Sequence, residues 1–378
     1  MMKLLKLTLC ATAASFAIGA AAHADPLPAP SFTPPISPNA SPATFDAGPL
    51  GKLSVGGAIT GMGMYQSGAV PGDHKWQADF TNAQAWVEKT DGTFQFFAEV
   101  GGYSFPALGY PYIPAKTATT AFGVLPVGYV KIVPNSHFNI EAGKLPTLIG
   151  SEYGFTFQNM NINRGLLWFQ EPIVSKGVQA NFSEGPVSLS VALTDGFYSD
   201  RYNNVSGLLT FTLSPNDTLA VAGGGPLGHQ PATLFAGGSS DIINVMYSHT
   251  AGPLTISPYF QWQHVQGDPA FGIANGGTTW GGAVLAKYTI DKTWSVAGRV
   301  EYIKEEGGVG SAGTDLLGYG RGSNAWSLTL TPTYQKGIYF IRGEAAYVKV
   351  DNLTGLGFGP LLTKDNQTRL TVETGVVF

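Results

Sequence analysis

The chain has 378 residues, of which only 12% are charged, about half the share usual in soluble domains. Its formal net charge of −4 excludes the basic surface that a nucleic-acid partner would require. The one cysteine, Cys10, excludes an internal disulfide and a metal site built from cysteines. The composition therefore points away from an ordinary soluble domain and from a nucleic-acid-binding protein.

The first 24 residues have the pattern of a secretory signal peptide. Lys3 and Lys6 form a basic start, residues 7–21 form an apolar stretch too short for a membrane helix, and residues 22–24 read Ala-His-Ala. We predict Asp25 as the first mature residue, which leaves 19 basic and 25 acidic side chains in the exported chain. An uncleaved membrane anchor is the alternative.

Residues 25–50 are rich in proline. Because proline has no backbone donor for a sheet, we predict an extended periplasmic lead-in here. A linker is one interpretation of this segment, and a contact with periplasmic partners is the other. The prolines are Pro26, Pro28, Pro30, Pro34, Pro35, Pro38 and Pro42.

Residues 51–378 have a hydrophobic period of two, which is typical of strands with one apolar and one polar face. Residues 294–302 illustrate the pattern, since apolar residues or glycine at the even positions alternate with Ser295, Ala297, Arg299 and Glu301. After the predicted signal peptide, no segment has the ~18 unbroken apolar residues of a membrane helix. Alternation with few charges and many aromatics favours an antiparallel transmembrane β-barrel.

Aromatic residues recur at a fixed spacing on the apolar face. Eight strand residues span ~27 Å, which after tilting matches the apolar band of an outer-membrane barrel between its two aromatic girdles. Tyrosine and tryptophan prefer both membrane interfaces, so this spacing favours a membrane wall over a soluble core. The pairs are Trp280 and Tyr288, Trp294 and Tyr302, Trp326 and Tyr334, and Tyr339 and Tyr347.

Seven tight turns alternate with eight longer links, which predicts about sixteen strands in an up-and-down barrel. Counts of fourteen or eighteen strands are also compatible with the pattern. Pro258 and Pro332 fall on the apolar face of predicted strands, and we expect local bulges there because proline cannot donate to a ladder. The turns are centred on residues 90–93, 134–136, 183–186, 214–217, 250–253, 290–293 and 335–337.

Two motifs carry a family resemblance. The chain ends on Phe378 after apolar residues at every second position, like the terminal strand by which bacterial outer-membrane proteins are recognised for assembly. The segment 141–144, Glu-Ala-Gly-Lys, followed by Thr147, Gly150, Glu152, Pro172 and Gly177, is similar to the OmpL-like β-barrel porin family. The resemblance covers roughly residues 51–378 and implies an outer-membrane barrel that assembles through the barrel-assembly machinery.

Charged residues at the polar positions are expected to line the lumen. Because both signs occur, any ion selectivity should be weak. The candidates are Lys287, Arg299, Glu301, Arg342, Glu344, Arg369 and Glu373.

The longest link, residues 146–171, follows the fifth predicted strand. Loops longer than ~15 residues usually have a function, and porins commonly fold a loop at this position into the lumen. An external loop is the alternative. The candidates for a pore constriction are Glu152, Asn159, Asn161, Asn163, Arg164 and Glu171.

The sequence contains no nucleotide-binding loop, zinc spacing or nucleophile elbow. We therefore expect no enzyme activity and no cofactor. A barrel of ~16 strands encloses an aqueous channel, so the expected function is passive diffusion of small polar solutes and ions through the bacterial outer membrane. A barrel without a channel, serving as envelope anchor or adhesin, is the alternative.

The expected partners are small hydrophilic solutes, lipid and lipopolysaccharide. Small residues face outward on the first strands, at Gly57, Gly61 and Gly63, where the later strands carry aromatics. Because small residues allow close approach, this asymmetry suggests a homotrimer packed through the early strands. Barrel curvature or a crowded lumen is the alternative reason for these glycines.

Overall fold

Antiparallel strands account for most of the chain. The computed structural model describes residue 36 and residues 42–196, 201–228, 240–268 and 275–378. Within these residues, no helix is long and apolar enough to cross a membrane. One short helix is α1, Ala115–Phe122. The strands are β1 Ala43–Asp46, β2 Lys52–Gln66, β3 Trp76–Lys89, β4 Phe94–Tyr103, β5 Val127–Asn135, β6 Phe138–Pro146, β7 Val174–Glu184, β8 Val187–Thr194, β9 Asn204–Ser214, β10 Asp217–Pro226, β11 Ser240–Ala251, β12 Leu254–Val265, β13 Gly277–Thr289, β14 Trp294–Glu305, β15 Asn324–Lys336, β16 Tyr339–Asp351 and β17 Asn366–Val377.

Strands β2 to β17 form a closed barrel. Each strand pairs antiparallel with its neighbours in the chain. The last strand closes the sheet by pairing with the first, from Val377 opposite Ala58 to Arg369 opposite Gln66. The prediction of a sixteen-stranded up-and-down barrel is confirmed, and the alternatives of fourteen and eighteen strands are wrong.

All seven predicted tight turns connect strands at one end of the barrel, and the longer links lie at the other end. Short periplasmic turns and long extracellular loops are the known asymmetry of these barrels. The end with the long links is therefore the extracellular end. The long loop of residues 147–173 starts there, between β6 and β7.

Side chains alternate between the two faces of the wall, as the period of two predicts. On β15, Leu328 and Leu330 are 53% and 54% exposed, whereas Ser327 and Thr329 on the interior face are at most 1% exposed. Because the outer face is apolar and the inner face polar, the wall matches lipid outside and a polar interior inside.

The aromatic residues form two belts on the outer face. Rings on adjacent strands contact each other, with centroid distances of 5.1 Å for Trp294 and Tyr334 and 5.4 Å for Trp326 and Tyr347. Tyr302 lies directly opposite Trp326 across β14 and β15. The eight-residue spacing therefore corresponds to two rings of contacts, one near each membrane interface.

The prediction of local bulges at Pro258 and Pro332 is wrong. Pro258 lies opposite Val284 in a continuous β12–β13 register. The β14–β15 register continues through Val296 opposite Pro332 without an inserted residue. On the β16 side the pairing lapses after Leu330 and resumes at Thr333 in the same register. Pro332 therefore interrupts the pairing with one neighbouring strand only. The strand continues in the same register because the fixed φ of proline is compatible with extended backbone.

The predicted signal peptide, residues 1–24, lies outside the described residues. From the proline-rich lead-in the structure describes Ile36 and residues 42–50. Strand β1 pairs with the start of β2, from Ala43 opposite Val55 to Asp46 opposite Lys52. Ile36 is 2% exposed and packs with Ala58, Phe340 and Val377 near the periplasmic end. Part of the lead-in therefore contacts the barrel.

We predict that arginine at Val300 or Leu328 destabilises the barrel by ~2–4 kcal/mol, because each side chain faces the acyl chains on the outer wall. The equilibrium to measure is unfolding in urea after reconstitution into lipid vesicles. Val296 and Ile341 lie on the same outer face and are expected to behave alike.

The matched control is Ser295→Arg, which places the same charge on the interior face near the periplasmic end. Ser327 and Thr329 are unsuitable controls because both are buried against Arg299 and Glu301. A loss at Ser295 as large as that at Val300 would contradict the assignment of faces.

Candidate functional site

The long loop of residues 147–173 lies inside the barrel. Its backbone and side chains contact interior residues of β14 to β17, the wall on the far side from where the loop begins. Asn161 Nδ2, for example, donates to Thr331 Oγ1 on β15 at 2.7 Å. Glu344, Arg342, Arg299 and Arg369 of the wall hold it there.

Glu344 on β16 clamps the middle of the loop. Its carboxylate accepts hydrogen bonds from the backbone N–H of Ile162 at 2.5 Å, the backbone N–H of Asn163 at 3.0 Å and Asn163 Nδ2 at 2.7 Å. Two adjacent amides that point at one carboxylate form an anion-binding turn. This glutamate therefore fixes the loop's closest approach to the wall.

Arg342, two residues earlier on the same face, holds the preceding part of the loop. It donates to the backbone oxygens of Thr156 at 2.7 Å and Asn159 at 3.0 Å. It also pairs with Glu373 on β17 at 2.5 Å. Charge-assisted bonds of this kind are short and geometrically specific, so the loop backbone has a defined position.

Arg299 on β14 lies between two carboxylates. It pairs with Glu152 of the loop at 2.5 Å and with Glu301 at 3.0 Å, and it donates to the backbone oxygen of Asn163 at 2.9 Å. Glu152 in turn accepts from the backbone N–H of Gly165 at 2.8 Å. The loop is thereby tied to itself and to the wall at one point.

Arg369 on β17 holds a second loop, residues 104–114. It donates to the backbone oxygens of Ala107 and Tyr110, and also to Asn163 Oδ1 at 3.2 Å. The two loops therefore meet over the same strand. This second loop was not predicted from the sequence as part of the site.

The structure pairs Glu152 with Arg299, and Arg164 has other neighbours. Its guanidinium lies 5.7 Å from the ring centroid of Phe105 and 5.3 Å from that of Trp168, and it donates to the backbone oxygen of Pro106 at 3.3 Å. Arg164 thus packs in an aromatic environment within the loop region.

Glu171 lies at the end of the loop, and neither of its carboxylate oxygens has a hydrogen-bond partner among the described residues. Burial raises its pKa well above the ordinary value, and the charges of Glu152 and Glu301 raise it further. A Cβ on Gly150 would lie 1.7 Å from Glu171 Oε2, and Gly150 has a φ of +89°. Only glycine fits there.

Two further predicted residues, Asn159 and Lys287, are candidates for the constriction and for the lumen wall. Asn159 Oδ1 accepts from the backbone N–H of Tyr153 at 2.7 Å and so shapes the loop internally. Lys287 is half-buried on the interior face of β13. No group of three or more His, Cys, Asp or Glu that could hold a metal ion occurs among the described residues.

The interior beside β14 to β17 is closely filled. Arg299, Arg342 and Arg369 are each 1% exposed. Among the described residues, two larger open spaces border the loops. One cavity of about 360 Å³ lies among the extracellular loops, and another of about 260 Å³ lies between the long loop and β4 to β7. Both cavities are therefore places beside the loops where a small solute can be accommodated.

Solved structures of outer-membrane proteins share this fold. The chain is similar to the outer-membrane-expressed OmpT of Vibrio cholerae, with 10% identity and a TM-score of 0.61 over 89% of this chain and 100% of that one. The in-vitro folded, trimeric form of the same protein gives 11% identity and a TM-score of 0.57 over 86% and 99%.

The OmpF of Salmonella typhi in complex with daunomycin gives 10% identity and a TM-score of 0.55 over 86% of this chain and 98% of that one. At these identities the similarity establishes the fold alone. Among curated proteins, none matches the sequence.

The family is established separately, by sequence. The family model described as beta-barrel porin-2, OmpL-like, matches residues 52–378, which run from the first residue of β2 to the last residue of the chain. This agrees with the resemblance carried by Phe378 and by the motif at residues 141–177. The chain belongs to the OmpL-like β-barrel porin family.

Proposed function

We propose that this outer-membrane barrel is a porin that lets small polar solutes and ions diffuse through its lumen. The observation that supports this most strongly is a closed sixteen-stranded wall with a polar interior face. Barrels of this strand number are wide enough for an aqueous channel, and membership of a porin family supports a channel role.

In this proposal the long loop sets the constriction. Glu152, Arg164 and Glu171 lie on the loop, and Arg299 and Glu344 hold it against the wall. Mixed charges at a narrow, partly desolvated point orient water and polar solutes. Because Arg164 is buried in contact with Phe105 and Trp168, reversing its charge would displace the loop as well as change the local potential.

An envelope anchor or adhesin without a channel is the second candidate. The closely filled interior beside β14 to β17 favours it, since a loop that never moves would leave a narrow path. Conductance separates the two functions. A correctly folded protein that produces no current steps in planar bilayers would refute the channel and leave the second candidate.

We predict stepwise conductance for the unaltered protein and a several-fold larger step for Glu344→Gln. The glutamine keeps the size of the side chain but removes the negative charge and replaces one of the two acceptor oxygens by an NH2 group. Ile162 and Asn163 cannot then both keep their hydrogen bonds, so the clamp on the loop is weakened. Single-channel recordings in planar bilayers measure both quantities.

Glu184→Gln is the control for the conductance experiment, since it makes the same chemical change in a periplasmic turn, where the glutamate side chain is 66% exposed. The control should conduct like the unaltered protein. Identical steps in all three proteins would mean that the loop does not set the constriction.

We further propose a homotrimer packed through the early strands. A Cβ added at Gly61 would meet only the backbone oxygen of Asp79, at 3.6 Å, and a Cβ added at Gly63 would meet no atom within 4 Å. Both positions are therefore open on the outer face. Gly57 is unsuited to the interface because the ring of Phe378 covers it, at 2.5 Å from the place of a Cβ. The available small surface therefore lies at Gly61 and Gly63.

We predict that Gly63→Trp yields folded monomers, because the indole blocks close approach of a second wall. Gly298→Trp is the control, since only a backbone oxygen lies within 4 Å of the place of its Cβ, at 3.5 Å. Gly298 is on the outer face of β14, four strands around the wall from β2, where lipid accepts the ring. Native mass spectrometry in mild detergent gives the stoichiometry. A monomeric unaltered protein would refute the trimer.

A further inference from the structure

Two cavities lie beside the loops that fold over and into the lumen. The first, which we name the outer cavity, has a volume of about 360 Å³ and lies among the loops that follow β2, β4, β14 and β16. The second, the inner cavity, has a volume of about 260 Å³ and lies between the long loop and the wall. Ligand pockets of small molecules typically measure ~300–1,000 Å³. The outer cavity falls at the lower end of this range and the inner cavity just below it, so both suit only a small solute.

Aromatic and aliphatic side chains supply most of the outer cavity's surface. The ring centroids of Tyr319 and Phe358 lie 6.0 Å apart at an angle of 57°, and Leu317 and Leu356 extend the apolar surface. The hydroxyl of Tyr319 donates to the backbone oxygen of Gly109 at 2.8 Å, which fixes its ring. A flat apolar body would pack well against these side chains.

One acceptor at the outer cavity lacks a donor. Gln367 is 3% exposed, and its Oε1 has no hydrogen-bond partner among the described residues, whereas its Nε2 donates to the backbone oxygen of Gly68 at 3.0 Å. An unsatisfied buried acceptor is costly. A solute that donates a hydrogen bond to Gln367 would satisfy it.

The inner cavity repeats this combination of rings and acceptors. The rings of Phe97 and Tyr129 are stacked with centroids 5.9 Å apart. Ser151 Oγ, in a residue 4% exposed, has no partner among the described residues. Glu99 and Glu152 add two carboxylates to the lining, and Arg299 is paired with the second of them.

The charged side chains that line the cavities favour one class of solute over another of similar shape. Asp73 lines the outer cavity, and Glu99 and Glu152 line the inner one, where Arg299 is paired with Glu152. Among the described residues, no Lys, Arg or His lines either cavity. Carboxylates beside low-dielectric walls attract cations and repel anions, and aromatic faces add a cation–π attraction. An aromatic carboxylate would be rejected where an aromatic amine of equal size is accepted.

We propose that both cavities are binding sites for small aromatic amines in their protonated form, which pass from the outer to the inner cavity. The ring packs against Tyr319 and Phe358 outside and against Phe97 and Tyr129 inside. The ammonium donates to Gln367 outside and to Ser151 inside. The passage rests on the proposed porin function, but binding at the two cavities does not.

Binding is measured first, by titration calorimetry on the folded full-length protein in detergent. The probes are phenethylamine, 3-phenylpropionate, which has the same ring and a negative charge, and ethanolamine, which has the amine without the ring. Phenethylamine should bind at least tenfold more tightly than either of the others. Equal affinities for phenethylamine and 3-phenylpropionate would overturn the proposal.

Variants locate the sites. Gln367→Met and Ser151→Ala should each weaken phenethylamine binding by about three- to tenfold, as expected for one hydrogen bond. Ser151→Ala removes only a hydroxyl, so it tests the proposal even if the change at Gln367 impairs folding. Binding unchanged in Ser151→Ala would refute the inner site, and binding unchanged in a folded Gln367→Met would refute the outer one.

A matched pair of exposed leucines controls for surface effects. Leu356 lines the outer cavity and is 62% exposed, whereas Leu361 is 81% exposed five residues later and lies outside it. Leu356→Ser should weaken binding and Leu361→Ser should not. Equal losses would mean nonspecific adsorption and would contradict the proposed outer site.

Conductance measured in parallel separates this inference from the proposed function. A protein that conducts but does not prefer phenethylamine would refute the binding sites and leave the porin function intact. A protein that binds phenethylamine without conducting would support the sites and refute the passage.

Discussion

The structure depends on one constraint, which is that a backbone amide facing hydrocarbon must find its partner within the protein. An open sheet would leave two unpaired edges, so the sheet has to close. Closure takes place between β17 and β2 and continues to Phe378, whose backbone exchanges hydrogen bonds of 2.8 and 2.9 Å with Gly57. Gly57 admits the ring of Phe378 above it, and β1 continues the pairing of β2 beyond that point.

Closure has a second consequence, because it encloses polar side chains that cannot reach bulk water. The arginines on the interior faces of β14, β16 and β17 are satisfied by loop carbonyls and by glutamates on the loop and the wall. A buried charge without a partner is costly, whereas a paired and hydrogen-bonded charge is tolerated. The loops and the wall therefore depend on each other, and the position of the long loop follows from the charges of the wall.

The sequence predicts the wall well because the wall follows a local rule. The period of two, the turn residues and the aromatic spacing each act over ten residues or fewer, and they locate the strands and both belts. Pro258 and Pro332 show the limit of such a rule. Proline lacks a backbone donor at both positions, but whether the strand then bulges depends on the neighbouring strands. The pairing registers of both strands continue unchanged past the proline.

The interior is harder to predict because its contacts join residues far apart in the chain. Glu152 meets Arg299, 147 positions later, and no local pattern distinguishes this partner from Arg164. The same holds for Gln367 and Gly68, which meet only when extracellular loops converge. A sequence reader could identify Arg299, Arg342 and Arg369 as interior charges, yet could not know which backbone oxygens they bind.

The placement of the long loop across the interior is tested most directly by cross-linking. The only cysteine, Cys10, lies in the predicted signal peptide. Two cysteines introduced into the barrel therefore have no native thiol to compete with them. In the variant with Asn161→Cys and Thr331→Cys, a short thiol cross-linker added to intact outer membranes should join the loop to β15. The control replaces Thr331→Cys by Leu330→Cys, its neighbour on the lipid face, and should not cross-link. Cross-linking of the control alone, or of neither pair, would contradict the account.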